Sequence, residues 1–104
     1  MKWNTKQTKD LFEAVLCLES LDEAKAFFRD LLTAEEIVEF SKRWQAAQML
    51  DRGATYTEIV KKTGLSSRTV ARISKWLRGG KRGYKRAIAK KQHHKGNSSG
   101  KSPD

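Results

Sequence analysis

Three times in this chain a serine or threonine is followed, three residues on, by a glutamate: Ser20-Leu21-Asp22-Glu23, Thr33-Ala34-Glu35-Glu36 and Thr55-Tyr56-Thr57-Glu58. In such a capping box the hydroxyl accepts one of the N–H groups that a helix start leaves unpaired. The carboxylate reaches back to another. One box is a weak signal; three of them at helix-length intervals constrain the chain to an all-α fold. The single proline, Pro103, lies near the far end, so nothing forbids helix across the body. No segment alternates apolar and polar residues without also fitting a helix, so no strand is expected.

Apolar spacing fills in the elements. Leu11, Val15 and Leu18, widened by Phe12 and Leu16, predict a first helix from about Lys6 to Leu18. The Ser20 box starts a second, carrying Ala24, Phe27, Phe28 and Leu31. The Thr33 box starts a longer one to about Arg52, with Ile37, Phe40, Trp44 and Ala47 on one side and Gly53 as its stop. A last helix is expected from about Lys81 to Lys91, with Tyr84 and Ile88 inward. A length of 104 residues suggests one domain, over 1–91. Residues 92–104, a basic tail without apolar periodicity, are expected to be disordered.

Residues 56–77 read as a helix-turn-helix. Ile59, Thr63, Leu65, Val70 and Ile73 pack two short helices together, and Gly64 stands where the chain must turn with positive φ. Ser66 or Ser67 caps the second helix, which Gly79-Gly80 ends. That helix presents Ser67, Arg68, Ala71, Arg72 and Lys75 outward, a surface suited to the major groove of double-stranded DNA. Arg68 is the first choice for base reading, with Ser66, Ser67 and Thr69 beside it. Lys61, Lys62, Arg78, Lys81 and Arg82 suit phosphate contact. Residues 1–58 hold 8 basic and 11 acidic side chains, whereas residues 59–103 hold 14 basic and no acidic ones. The motif therefore opens a stretch of unbroken positive sign, which draws in a polyanion and releases its counterions.

Several function classes are excluded. One cysteine, Cys17, forms no internal disulfide and fits a reducing cytoplasm. No apolar run approaches a membrane span. His93-His94 lacks the spacing of a metal site, and no metal is expected. There is no nucleophile elbow, phosphate loop or zinc motif, so the chain is not read as an enzyme. The apolar stripes of the first two helices need a surface to cover. A second subunit supplies one, and a homodimer would set two recognition helices roughly 34 Å apart, matching successive major grooves. Phe12, Phe27, Phe28 and Trp44 forming an intramolecular core is the alternative.

These residues resemble the Trp repressor superfamily, in its YerC/YecD-like branch. The resemblance covers about residues 8–92. It is carried by Leu32-Thr33-Ala34-Glu35-Glu36, by Arg43, and by Leu50, Arg52 and Gly53. In the motif it is carried by Glu58, Ile59, Gly64, Thr69, Val70, Arg72 and Leu77. The link from Gly53 to Glu58 is one residue shorter than in the Trp repressor itself. The resemblance implies an intertwined, all-helical homodimer that binds a palindromic operator and regulates transcription, as a repressor.

The same resemblance places an effector pocket at Leu32, Thr33, Arg43 and Arg72, where two arginines would sandwich an indole. Ile73 and Trp76 replace a glycine and a serine of that pocket, and the added bulk argues against L-tryptophan. Either Trp76 plugs the space, leaving a constitutive binder, or another small molecule enters. No cofactor is implied. Two rival readings remain: the DNA-targeting module of a transposase or sigma-like factor, and a basic interaction protein that binds RNA.

Overall fold

The computed structural model describes the backbone of residues 2–101 and the side chains of residues 2–93. Six helices follow one another, α1 Lys6–Leu16, α2 Leu21–Leu31, α3 Ala34–Asp51, α4 Tyr56–Thr63, α5 Ser67–Gly79 and α6 Gly83–Lys101, and no strand occurs among the described residues. Contacts divide the chain into two units, Met1–Val38 and Glu39–Asp104, with the boundary inside α3.

Capping chemistry sets the helix starts. Thr33 and Glu36 form a reciprocal pair: the Glu36 N–H donates to Thr33 Oγ1 at 3.1 Å, and the Thr33 N–H donates to Glu36 Oε1 at 2.9 Å. Thr55 and Glu58 do the same at 3.1 and 2.8 Å. At α2 only half of the expected box closes. Ser20 accepts from the Glu23 N–H, but Glu23 accepts from the N–H of Glu19, one residue before the cap. An unexpected box, Thr5 with Thr8, starts α1; here a second threonine does the work of the glutamate.

In the first unit neither α1 nor α2 buries a residue. Trp3 and Phe12 meet edge to face at 6.4 Å, as do Phe27 and Phe28 at 5.5 Å. Phe12, Leu16, Leu21 and Leu31 are exposed. The periodicity expected of these helices is therefore present, but the unit leaves much of its apolar stripe uncovered.

The second unit has a core. Ala46, Ala47 and Met49 of α3 pack with Ile59, Leu65, Val70 and Ile73, and Leu50, Ala54, Val60 and Tyr84 join from the edge. The end of α3 is a Schellman turn: the Ala54 N–H donates to the Met49 carbonyl and the Gly53 N–H to that of Leu50, with Gly53 at φ 91°. Ile88 of α6 is buried, and Lys85 reaches Asp51 Oδ1 at 3.0 Å, tying α6 to the end of α3.

α1 ends at Leu16, short of the expected Leu18, and both ends of α6 differ from expectation. α6 starts at Gly83 rather than Lys81, because Arg82 turns the chain at φ 64°. It runs on to Lys101, where the sequence reading stops near Lys91 and leaves 92–104 unstructured. Lysine, glutamine and histidine continue a helix without an apolar face, and no proline intervenes before Pro103. Residues 102–104 of that tail lie outside the described residues.

Candidate nucleic-acid interface

The helix-turn-helix is held at its turn by one threonine. Thr63 is buried, and its hydroxyl donates to the Ile59 carbonyl at 2.7 Å while accepting from the Leu65 N–H at 3.1 Å. The same side chain thus closes the last turn of α4 and fixes the first residues of the link. Gly64 follows at φ 80°, its N–H donating to the Val60 carbonyl at 2.9 Å. That is the left-handed position the sequence predicts for it, and a β-carbon there carries a conformational cost. Sequence reading treats Thr63 as a packing residue only; the hydroxyl's double role depends on the turn geometry around it.

Ser66 caps α5. Its Oγ accepts from the Thr69 N–H at 3.1 Å and donates to Thr69 Oγ1 at 3.0 Å. These two hydroxyls therefore work first within the helix start. Val70, Ile73, Ser74 and Leu77 form the buried stripe at helical spacing. The opposite side of α5 is open: Ser67, Arg68, Ala71, Arg72, Lys75 and Arg78 are all exposed. Lys61 and Lys62 are exposed in the last turn of α4, where cations also complement the helix dipole. Every side chain proposed from the sequence for DNA contact thus lies in the second unit, on α4, on α5, in the cap between them or in the link after α5.

The residues of the expected effector pocket are distributed differently. Leu32 and Thr33 stand at the junction of α2 and α3 in the first unit, where Thr33 is occupied as a cap. Arg43, in the second unit, is half-buried and pairs with Glu39 at 3.4 Å. Arg72 forms no ion pair among the described residues. Ile73 is 1% exposed and belongs to the core cluster. Trp76 is 46% exposed and, within its unit, lines an open groove of about 840 Å³ with Tyr84 and Lys81. Tyr84 has its pKa raised by burial, partly countered by the nearby charge of Arg43.

Other groups carry little chemistry. Glu58 is held below the ordinary carboxylate value by the Thr55 backbone N–H and then the Thr55 hydroxyl, consistent with its capping role. Cys17 is exposed. Among the described residues no cluster of three or more His, Cys, Asp or Glu side chains is placed to hold a metal. His93 is exposed, and the side chain of His94 lies outside the described residues. Among the described residues no helix is long and apolar enough to cross a membrane.

Comparison with known proteins agrees with this architecture. A family model described as "Trp repressor protein" matches residues 6–92. The uncharacterized protein YerC of Bacillus subtilis (strain 168) is 35% identical over 100 residues, covering 96% of each chain. A TrpR-like protein from Eubacterium eligens ATCC 27750 superposes with a TM-score of 0.79 at 40% identity, over 84% of this chain and 90% of that one. A candidate Trp repressor from Staphylococcus aureus gives 0.80 at 34% identity, over 86% and 89%.

Proposed function

The chain belongs to the Trp repressor family, and from that premise we propose that it is a sequence-specific DNA-binding regulator of transcription. It acts as a repressor by occluding a promoter, and it is not an enzyme. The observation that carries this reading is the division of α5 into two faces. Val70, Ile73 and Leu77 anchor it in the core, while Arg68, Ala71, Arg72 and Lys75 stand in solvent on the other side. A rigidly seated helix with small and basic side chains outward can follow the major groove and let arginine reach guanine. The acid-free run from residue 59 to 103 supplies the sequence-independent attraction.

The working unit in this proposal is a homodimer. Phe12, Leu16, Leu21 and Leu31 expose apolar surface that a second copy would cover, and two copies of α5 would read a palindromic site. A small-molecule effector remains part of the proposal only in a restricted form. Ile73 is committed to the core, so a ligand built like tryptophan would have to displace a packed side chain.

The test is selection of bound duplexes from a random library by the purified protein, with and without L-tryptophan, together with its mass by light scattering. A recovered palindromic consensus and a dimer mass support the proposal. Equal consensus strength in both conditions supports tryptophan independence. Recovery of no consensus, or preference for RNA of equal charge over duplex DNA, overturns the reading.

A further inference from the structure

The end of α3 and α6 meet through two different combinations of charge. Lys85 reaches Asp51 at 3.0 Å, a pair of opposite sign. Farther along α6 the signs are alike. Arg52 and Lys91 line one groove of about 150 Å³, together with Gln48, Gln92 and Ile88. Gln48 and Arg52 are four residues apart, as are Ile88 and Gln92, so each pair rises from one side of its own helix. Ile88 is buried, and the other lining residues are polar. None of them belongs to the outward side of α5 or to the expected effector positions Leu32, Thr33, Arg43, Arg72, Ile73 and Trp76.

No carboxylate of the second unit is left to neutralise this groove. Among its described residues the acids are Glu39, Asp51 and Glu58. Glu39 pairs with Arg43 at 3.4 Å, Asp51 with Lys85 at 3.0 Å, and Glu58 accepts from the Thr55 N–H at 2.8 Å. Arg52 and Lys91 form no ion pair among the described residues. Two cations on one concavity repel each other, and a concave wall concentrates their field. The guanidinium of an arginine offers a fork of donors that fits an oxyanion, a lysine adds a point charge, and glutamine amides supply neutral donors. At about 30 Å³ for each water in the liquid, the groove has room for a few water-sized groups and not for a large ligand.

We infer that the groove between the end of α3 and α6 binds a small oxyanion, held by Arg52 and Lys91 with Gln48 and Gln92 beside them. The ligand is a free anion of a few heavy atoms, a carboxylate or a phosphate, and the experiment separates the two. The inference does not rest on the DNA-binding reading, because the site lies outside the helix-turn-helix and its test contains no nucleic acid. An anion bound here bridges α3 and α6 and replaces the repulsion between Arg52 and Lys91 with attraction to a shared partner. It binds the folded chain alone, since the groove exists only when the two helices are packed, and it therefore raises stability by mass action.

Full-length wild type, Lys91→Gln, Arg52→Gln/Lys91→Gln and Lys90→Gln are melted in inorganic phosphate, in succinate and in acetate, each against chloride of equal ionic strength. Lys90 is exposed and does not line the groove, so Lys90→Gln removes a charge without touching the site. The wild-type midpoint should rise with at least one of the anions, by about 6–11 °C at a tenfold excess over Kd. Lys90→Gln should keep that rise, Lys91→Gln should lose most of it and the double variant all of it. A rise with succinate or acetate alone identifies a carboxylate, and a rise with phosphate alone a phosphate. Hydrogen exchange of the wild type locates the anion without relying on any variant: protection should grow at the end of α3 and over residues 84–92 of α6. No rise in wild type, an equal rise in the double variant, or an equal loss in Lys90→Gln overturns the inference. So does added protection spread evenly over the second unit, which marks a general effect of salt on a basic protein.

Discussion

Replacing Thr63 with valine should loosen the hinge between α4 and α5 while barely changing shape. The hydroxyl makes two bonds, to the Ile59 carbonyl at 2.7 Å and from the Leu65 N–H at 3.1 Å, and the residue is 5% exposed. Valine keeps the volume but removes the acceptor for a buried amide. An amide stranded away from water costs about 1–3 kcal/mol. The Ile59 carbonyl loses a donor too, while the extra methyl gains something from burial in the adjacent core. A net loss of about 2 kcal/mol follows, as the central part of that range. In a domain of this size that lowers the thermal midpoint by about 8–16 °C. Circular dichroism melts and urea titration measure it. Thr63→Ser is the control: it keeps both bonds and loses one methyl, so it should cost less than Thr63→Val. A Thr63→Val protein within about 0.5 kcal/mol of wild type, or less harmed than Thr63→Ser, would show that the hydroxyl does not hold the turn.

Four further outcomes are expected. Arg68→Ala should lower affinity for the selected duplex by about 1–3 kcal/mol while changing random-duplex binding far less, as competition assays on both duplexes would record. Lys61→Gln should weaken all duplexes alike and reduce the salt slope by about one unit, if Lys61 makes the phosphate contact proposed for it. Gly64→Ala places a β-carbon at φ 80°, and a loss of about 1–2 kcal/mol in urea titration is expected from the strained backbone alone, since space is available around it. The capping contribution of Glu58 depends on pH. Its folded-state pKa lies below its ordinary value of 4.5, so the stability it adds is present above that value and is lost as pH falls through the folded pKa. Glu58→Gln should remove that part of the acid dependence; an unchanged difference between the melting profiles above and below pH 4.5 would count against it.

Where the physics is local, the residues announce themselves. A helix start needs a hydroxyl and a carboxylate three residues apart, so Thr33 with Glu36 and Thr55 with Glu58 are readable without knowing what the helices touch. Gly64 is readable because only a residue without a β-carbon turns the chain that way cheaply. The stripe of Val70, Ile73 and Leu77 is readable from its spacing. The same logic explains the errors. Glu23 accepts from the N–H of Glu19 rather than from that of Ser20, a choice that residue type does not announce. Thr5 with Thr8 falls outside the usual serine-to-glutamate pattern, although a hydroxyl serves as well as a carboxylate.

What sequence spacing does not reveal is which surface a stripe meets. Leu16 and Phe12 carry the periodicity of core residues yet stand in solvent, because periodicity identifies an apolar face and says nothing of its partner. Ser74 is the converse. Its position in the stripe marks it as buried, while spacing alone does not show that its hydroxyl meets no partner among the described residues. In the proposed dimer a second copy would cover the apolar surface that Phe12 and Leu16 leave in solvent. An apolar face already paired within the subunit has nothing left to offer a partner. The uncovered stripe of α1 and α2 is then what the proposed dimer has to cover, and a monomer mass in light scattering would refute that reading.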